Sequence, residues 1–160
     1  FLSKMKFHIS MIQRIQTVYL LLGVLCLGAQ FITPYFSVPI DIDSLRVPVV
    51  ADGKYDILDR PWLLYISGFS ALMAIVAIFM FRNRVVQSRF TSVGIFSASV
   101  LSLYMASQFY PIATEAGAVM SDLKYRLGFF MPFTAAFMMW LANRAIRRDQ
   151  MMIKSADRLR

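Results

Sequence analysis

Four long apolar stretches without a single charged side chain constrain this sequence more than any other feature. They are Thr17–Ile32, Pro61–Phe81, Ser92–Ile112 and Leu127–Ala142. A helix rising about 1.5 Å per residue needs roughly 20 apolar residues to cross about 30 Å of hydrocarbon. The pattern therefore predicts an all-α membrane protein with four transmembrane helices, at about residues 12–33, 61–81, 91–112 and 126–146.

The charges between these stretches predict how the helices are oriented. One set of helix ends is flanked by twelve Lys and Arg residues and two Asp, a net charge of +10, within the chain's total of +8. The other set carries five basic and seven acidic residues, a net charge of −2. Because Lys and Arg are retained on the cytoplasmic side during insertion, both termini and the 82–89 loop are predicted to be cytoplasmic. Topology already explains the basic charge, so no nucleic-acid partner is expected.

The division of the chain is predicted to be simple. Residues 11–160 form a single four-helix transmembrane domain, and Met11 opens a stretch that would make a natural start. Residues 1–10 are set apart as a leader, which an alternative start, a processing remnant or an added segment would each explain. No residue ends the fourth helix after Ala142, so residues 147–160 are predicted to continue it as a basic, helical cytoplasmic tail.

The segment from Pro34 to Arg60 is predicted to lie outside the membrane as a short outer loop. Its Asp52-Gly53 pair stands between two short stretches, 49–51 and 55–58, which is typical of a β-hairpin with a type I′ turn. Asp41 and Asp43 suggest a calcium loop, but the residues that follow do not match the EF-hand pattern. A solvated acidic loop is the preferred interpretation.

The third apolar stretch carries small residues at every fourth position. Small residues spaced in this way allow two helix backbones to approach closely. Packing within the chain's own bundle is the preferred interpretation, and a homodimer contact or the docking of a second protein subunit are the alternatives. The residues of this stripe are Gly94, Ala98, Ser102 and Ala106.

Residues that could carry chemistry are nearly absent from the predicted spans. None of the four charge-free stretches holds an acid, a basic residue or a histidine, and His8 lies in the leader. Cys26 is alone and cannot form an internal disulfide. We therefore predict no catalytic residue, no cofactor, no metal site and no enzymatic activity. Glu115 with Asp122 is the weak exception, and Gln30 and Gln108 are interpreted as amides with satisfied hydrogen bonds, which could bond to each other.

The basic residues at the cytoplasmic helix ends are predicted to touch anionic lipid headgroups or a partner protein. Juxtamembrane Lys and Arg each contribute about 1 kcal/mol at a negatively charged leaflet. The residues predicted for this contact are Arg14, Arg144, Arg147, Arg148 and Arg158.

The two ends of the chain resemble those of a known family. The segments that carry the resemblance are Met11–Leu22, Ala142–Asp149 and Ser155–Arg160. They are similar to the ends of small four-helix membrane proteins of Bacteroidetes, the domain-of-unknown-function 4293 family. The resemblance implies a bacterial inner-membrane location and supplies no catalytic residue. It also gathers polar residues at the cytoplasmic ends of the first and last helices, as a docking surface or as a network joining those helices: Gln13, Arg14, Gln16, Asn143, Arg144, Arg147 and Asp149.

These observations lead to two hypotheses of function. The first is a non-enzymatic inner-membrane protein that acts as an accessory or stabilising subunit of a larger membrane complex, with another membrane protein or a second copy as its partner. The alternative is a small oligomeric transporter or channel. Its pore would be lined by polar residues of the third helix: Ser97, Ser102, Tyr104 and Gln108.

Overall fold

The protein is a four-helix bundle with a small sheet at one end. The computed structural model describes residues 2–37, 52–115 and 124–157, and the side chains of 15–37, 52–114, 124–153 and Ser155. In chain order, the described elements are α1 (Leu2–Ala29), β1 (Phe36–Ser37), β2 (Lys54–Tyr55), α2 (Pro61–Phe79), α3 (Arg84–Glu115), β3 (Lys124–Tyr125) and α4 (Leu127–Asp157).

Two helices begin earlier than the predicted spans because charged residues do not by themselves end a helix. α1 begins at Leu2 and runs through the predicted leader without a break, and α3 begins at Arg84, seven residues before the predicted start. α4 continues past Ala142 to Asp157. α2 starts at Pro61, where the missing N–H of proline has no helical partner to lose. The charges thus mark a change of environment along continuous helices.

The helices form a ring in which each one packs against two others. α1 contacts α2 and α4, and α3 contacts α2 and α4. The three strands form an antiparallel sheet in the order β2-β1-β3. Because β1 follows α1, β2 precedes α2 and β3 precedes α4, the sheet gathers these helix ends at one end of the bundle, here called the sheet end. The opposite end, the turn end, carries the short α2–α3 connection and the ends of α1 and α4 that lead to the chain termini.

The predicted hairpin is seen in part, at its turn and at β2, and the pairing of its two strands stays a prediction. Gly53 has a φ of 72°, and Asp52 Oδ1 accepts a hydrogen bond from the Lys54 N–H at 3.1 Å, so the Asp-Gly pair does make a turn. The described partner of β2, however, is β1, with Phe36 opposite Tyr55. A two-stranded ribbon is marginal alone, and pairing to the chain that leaves α1 anchors β2 to the bundle. Residues 49–51, and with them Asp41 and Asp43, lie outside the described residues.

An aromatic cluster fixes the sheet to the helices. Phe36 is fully buried and stacks on Tyr55, with ring centroids 5.8 Å apart. Its other faces meet Phe109 of α3 at 5.3 Å and Phe129 of α4 at 5.5 Å. Ring pairs at these separations contribute about 0.5–1.5 kcal/mol beyond the area they bury. The short strands are therefore held by side-chain packing more than by their few ladder hydrogen bonds.

Glycines let the helices approach closely at the middle of the bundle. The buried Met139 of α4 lies between Gly23 of α1 and Gly94 of α3. A Cβ atom at Gly23 would come within 3.1 Å of Met139 Cγ, and one at Gly94 within 3.2 Å of Met139 Sδ. Ser70 of α2 also donates a hydrogen bond to the Gly94 carbonyl at 2.9 Å. The centre thus combines close backbone approach with an interhelical hydrogen bond.

Gly128, at the start of α4, provides the sharpest test of this packing. A Cβ atom there would overlap the Thr33 carbonyl oxygen and stand 2.5 Å from the Pro34 carbonyl oxygen, so backbone would have to move. We expect Gly128→Ala to destabilise the protein by about 2 kcal/mol, measured by thermal unfolding in detergent. Gly68→Ala is the matched control, because nothing lies within 4 Å of its added Cβ. Equal stability of the two variants would contradict the close approach at the sheet end.

Candidate functional site

The outer surface of the bundle is apolar on every helix. Large apolar side chains are exposed on α1 at Leu25, on α2 at Phe69, on α3 at Phe96 and on α4 at Phe137, with Phe96 72% exposed. Among the described residues, α2 and Arg84–Thr114 of α3 are long and apolar enough to cross a membrane, and Ile15–Ala29 is a shorter apolar helix. The apolar windows of the two long helices are only 28% and 39% buried, whereas the core helix of a soluble protein is mostly buried.

The interior of the bundle, in contrast, holds many polar side chains. Each is at least nine-tenths buried, and several hydroxyls donate to carbonyls of their own helix, as Thr91 does to Gln87 at 2.9 Å. A core that mixes apolar and polar side chains under an apolar outer surface differs from a water-soluble bundle, whose outer surface is polar. The buried polar residues of the helices include Gln16, Gln30, Ser67, Ser70, Gln87, Ser88, Thr91, Ser97, Ser102, Asn143 and Asp149.

An ion pair joins α3 and α4 at the turn end. Arg84, the first residue of α3, pairs through Nη1 with Asp149 Oδ2 of α4. The Asp149 side chain is only 1% exposed and that of Arg84 14%. The side chain of Gln150 adds a hydrogen bond from Nε2 to the Arg84 carbonyl at 2.5 Å. A carboxylate at this depth needs a charged partner, because leaving one ion buried alone is costly.

One turn further into the bundle, an amide links the same two helices. Asn143 of α4 accepts a hydrogen bond at Oδ1 from Ser88 Oγ at 2.8 Å and donates from Nδ2 to Ser92 Oγ at 3.1 Å. Ser92 Oγ in turn donates to the Ser88 carbonyl at 2.9 Å. The side-chain bonds of Asn143 are thus directed to α3, and they extend the connection that Arg84 and Asp149 make.

The network predicted between the first and last helices stays a prediction, although the polar residues of α4 have partners on another helix. The described bonds of Asn143 and Asp149 reach α3, not α1. On α1, Gln16 is buried, and within the described part of the chain its Nε2 has no hydrogen-bond acceptor. The side chains of Gln13 and Arg14, and all of Arg158, lie outside the described residues.

Two clefts flank α4 at the turn end, and arginines separate them. The cleft on the α3 side has a volume of about 700 Å³ and that on the α1 side about 430 Å³. Arg144 and Arg148 line both clefts, and Arg147 lines the larger one. The Arg144 guanidinium lies 5.8 Å from the ring centroid of Trp140, within the range of a cation–π contact. We call Arg144, Arg147 and Arg148 the arginine cluster.

The arginine cluster carries uncompensated charge. All three residues are exposed, and no ion pair joins them to an acidic side chain in the described part of the chain. Asp149, which follows Arg148 directly, is buried on another face of α4 and pairs with Arg84. The three guanidiniums therefore present their full positive charge beside two clefts.

The stripe of small residues on α3 is mostly inside the bundle. Gly94, Ala98 and Ser102 are buried, and Ser102 donates to the Ala98 carbonyl at 2.8 Å. Ala106 is exposed, so the stripe does not continue as one buried face. Gly94 packs against Ser70 and Met73 of α2 as well as Met139 of α4.

The sheet end holds a second group of polar residues. Gln30 is fully buried and accepts a hydrogen bond from the Tyr35 hydroxyl at 2.7 Å, so its described partner is Tyr35 rather than Gln108. Burial raises the pKa of the Tyr35 and Tyr55 phenols above the ordinary value, which keeps both neutral.

The Glu115 side chain and Asp122 lie outside the described residues. Among the side chains that the structure describes, no three His, Cys, Asp or Glu residues are grouped to hold a metal ion.

The comparison with known families identifies the chain. The model of the family described as "Domain of unknown function (DUF4293)" matches residues 12–159. The chain belongs to this family. No curated protein and no solved structure matches the sequence. The membership confirms the resemblance seen at the two ends of the chain and assigns no activity.

The sequence analysis named Asn143 and Asp149 but did not predict that they are buried. The sequence did contain a signal for their burial. Asn143, Ile146 and Asp149 recur at three-residue spacing and share the buried face of α4. Asp149 is also an acid amid the basic residues of the tail, where a solvated charge has no reason to interrupt the positive series. Both features indicate a buried polar contact. The partner, Arg84, could not be identified, because it was counted among the charges that orient the protein.

The ion pair of Arg84 and Asp149 is expected to be strongly coupled. Asp149→Asn keeps the shape of the side chain but leaves the Arg84 guanidinium without its counterion, and we expect a loss of about 3 kcal/mol of stability. The double variant Arg84→Met/Asp149→Leu should lose less than the sum of its single variants. Unfolding in detergent followed by circular dichroism measures the unchanged protein, Asp149→Asn, the double variant and its two single variants. Additive single effects would contradict a coupled pair, and Arg82→Gln serves as the control for an exposed charge.

Asp59 is expected to make stability depend on pH. Burial raises the pKa of this carboxyl from 3.8 to about 6, while its Oδ2 accepts a hydrogen bond from the Asp56 N–H at 2.6 Å. The folded state thus binds the proton more tightly, so the stability that Asp59 contributes is present below pH 4 and lost as pH rises through about 6. Asp59→Asn keeps an oxygen acceptor without the charge. Its melting temperature should exceed that of the unchanged protein at pH 7.5 and match it at pH 4. A difference that does not change with pH would contradict the raised pKa.

Proposed function

We propose that the protein is a four-span protein of the bacterial inner membrane with both termini in the cytoplasm. We further propose that it is not an enzyme and acts as an accessory subunit that stabilises a larger membrane complex. The observation that carries the proposal is the distribution of side chains, with large apolar residues exposed on all four helices and polar residues buried within the apolar core. In water such a surface would aggregate, whereas in lipid it is solvated.

The exposed faces support four spans. α1 and α4 expose apolar side chains of the same kind as the other two helices, such as Leu21 and Phe137. From Leu127 to Arg144, α4 rises about 26 Å, close to the thickness of the hydrocarbon core. The aromatic Trp62 near the sheet end and Trp140 near the turn end are each half exposed, and tryptophans favour the two membrane interfaces.

The ends of the bundle support the orientation. Both terminal helix ends lie at the turn end, together with the α2–α3 connection, as an even number of crossings requires. The described basic residues of this end outnumber its acids: Arg82, Arg84, Arg89, Arg144, Arg147 and Arg148 against Asp149. Lys and Arg favour the cytoplasmic side, which supports a cytoplasmic turn end.

The accessory role rests on the parts of α3 and α4 that extend beyond the hydrocarbon core and expose surface to a partner protein. α3 with 32 residues and α4 with 31 rise about 48 and 46 Å, which exceeds the hydrocarbon core and leaves helix outside it. This extra length includes the last turns of α4, where Met151, Met152 and Ile153 are exposed next to the arginine cluster. Exposed methionines beside arginines are typical of protein-binding surfaces.

The transporter hypothesis receives less support. Two of its four lining residues, Ser97 and Ser102, are buried, and their hydroxyls donate to the Gly94 and Ala98 carbonyls of the same helix. Tyr104 packs edge-on against Trp62 at 5.4 Å. Hydroxyls that bond to their own helix are not directed toward a passing ion.

Site-directed labelling in intact cells tests the membrane arrangement. In a Cys26→Ser background, Leu58→Cys should react with a membrane-impermeant maleimide added outside, and Met151→Cys only after the membrane is permeabilised. Phe69→Cys, on the apolar face of α2, should resist the reagent in both conditions because lipid covers it. Reaction of Met151→Cys from outside would contradict the orientation, and ready reaction of Phe69→Cys would contradict the span.

Purification from native membrane tests the accessory role. We expect the tagged protein, extracted in a mild detergent, to elute with another membrane protein at constant stoichiometry across independent preparations. Substituting Met151, Met152 and Ile153 with serine should release that protein while leaving the helix content unchanged. Elution as a lone monomer from cross-linked membranes would contradict the role.

A further inference from the structure

We propose that the two clefts beside α4 form a single binding site for a phospholipid with two phosphates. Its headgroup would join two phosphodiesters by a short linker, and each phosphodiester would carry its own pair of acyl chains. The inference rests on the proposed membrane location of the turn end. It does not depend on the accessory role.

The charge of the site comes from the arginine cluster. Arg147 and Arg148 follow Arg144 at three- and four-residue spacing, which places them on one side of the helix. Guanidiniums bind phosphate oxygens in pairs, with fixed geometry. Since Asp149 is engaged by Arg84 on the buried face, this cluster has a net positive charge available for a ligand.

The division of the cluster between the clefts indicates two phosphates. Arg144 and Arg148 line both the cleft on the α3 side and the cleft on the α1 side. A headgroup with one phosphate would occupy one side of α4 and leave the other side unfilled. A headgroup with two phosphates can bridge the helix and place one phosphate at the opening of each cleft. The same two arginines then contact both.

The walls of the clefts indicate a lipid. The larger cleft combines polar Ser92 and Asn143 with apolar Ile95, Trp140 and Met151, and the smaller one adds Ile15, Tyr19, Leu141 and Met152. Each cleft therefore has a charged rim and an apolar wall, which suit a phosphate and the start of an acyl chain. The charge-free part of α4 ends at Ala142, two residues before Arg144, so the rim lies where lipid phosphates lie.

Trp140 and Arg144 prepare the larger cleft for this ligand. Trp140 is 46% exposed, and the Arg144 guanidinium lies over its ring. The contact reduces the freedom of the Arg144 side chain before any ligand arrives, so less entropy is lost on binding. Lysine would keep the charge here but lose both the ring contact and the paired hydrogen bonds.

Native mass spectrometry with defined lipids tests the site. The protein in detergent is titrated with cardiolipin, which has two phosphates and four chains, and with phosphatidylglycerol and phosphatidylcholine. We expect cardiolipin to bind at an at least tenfold lower phosphate concentration than phosphatidylglycerol. Phosphatidylcholine should show no saturable binding. Equal binding of cardiolipin and phosphatidylglycerol per phosphate would overturn the two-phosphate site.

Matched pairs of variants separate the site from general charge attraction. Arg144→Gln/Arg148→Gln should weaken cardiolipin binding at least tenfold, as two lost phosphate contacts imply. Arg82→Gln/Arg89→Gln removes the same charge from exposed positions of the turn end that line neither cleft, and binding should change less than twofold. An equal loss in both pairs would overturn the proposal. Arg144→Lys/Arg148→Lys should be intermediate, with the helix content of every variant checked by circular dichroism.

A competition experiment distinguishes a lipid from a soluble diphosphate as the ligand. Inorganic pyrophosphate should not displace cardiolipin at equal phosphate concentration, and displacement would overturn the lipid assignment. The titration uses isolated protein, so it is independent of co-purification. If the protein binds cardiolipin as proposed but purifies alone, only the accessory role is contradicted. If the lipid preference is absent while the labelling pattern and the co-purification are as expected, only this site is contradicted.

Discussion

The outside of this bundle is as apolar as its inside, and the rest of the structure follows from that constraint. Burial of apolar surface cannot decide which face of a helix points inward when both faces are apolar. Close packing and interhelical hydrogen bonds must decide instead. Gly23 and Gly94 admit Met139 between their helices, and Ser70 bonds across to the Gly94 carbonyl. These contacts are specific in position, so they set the register of α4 against α1 and α3 as a general apolar attraction could not.

The two ends of the bundle are closed by different means. At the sheet end, the buried aromatic ring of Phe36 joins a strand to α3 and α4, and hydrogen bonds of the strands satisfy the backbone there. At the turn end, Arg84 with Asp149 and Ser88 with Asn143 hold α3 to α4 by polar contacts. The first end is packed and close to neutral, and the second is charged.

The sequence predicted the helices well and their connections poorly, for physical reasons. The charge-free stretches located all four helices, because a long apolar stretch has few other ways to satisfy its backbone. The helix ends were wrong at Leu2 and Arg84, because a charge changes the preferred solvent without breaking a helix. The pairing of Lys54–Tyr55 with β1 was not predicted, because β1 is distant along the chain and only folding brings it close. The buried role of Asp149 was visible in its place on the inward face of α4 and in its acidic side chain amid basic residues.

The arginines of the turn end require more than orientation in a membrane to account for them. Orientation depends on how many basic residues lie near the helix ends and not on their geometry. If it were the only requirement, Asp149 would be unfavourable, since it cancels one positive charge at the end where positive charge is needed. The ion pair with Arg84 explains the presence of Asp149, because the pair stabilises the contact of α3 with α4. The excess positive charge then lies on other residues. That excess lies on Arg144, Arg147 and Arg148, side by side on the helix that separates two clefts. An arrangement so specific in position implies recognition of a ligand with matching geometry, beyond attraction to a charged surface.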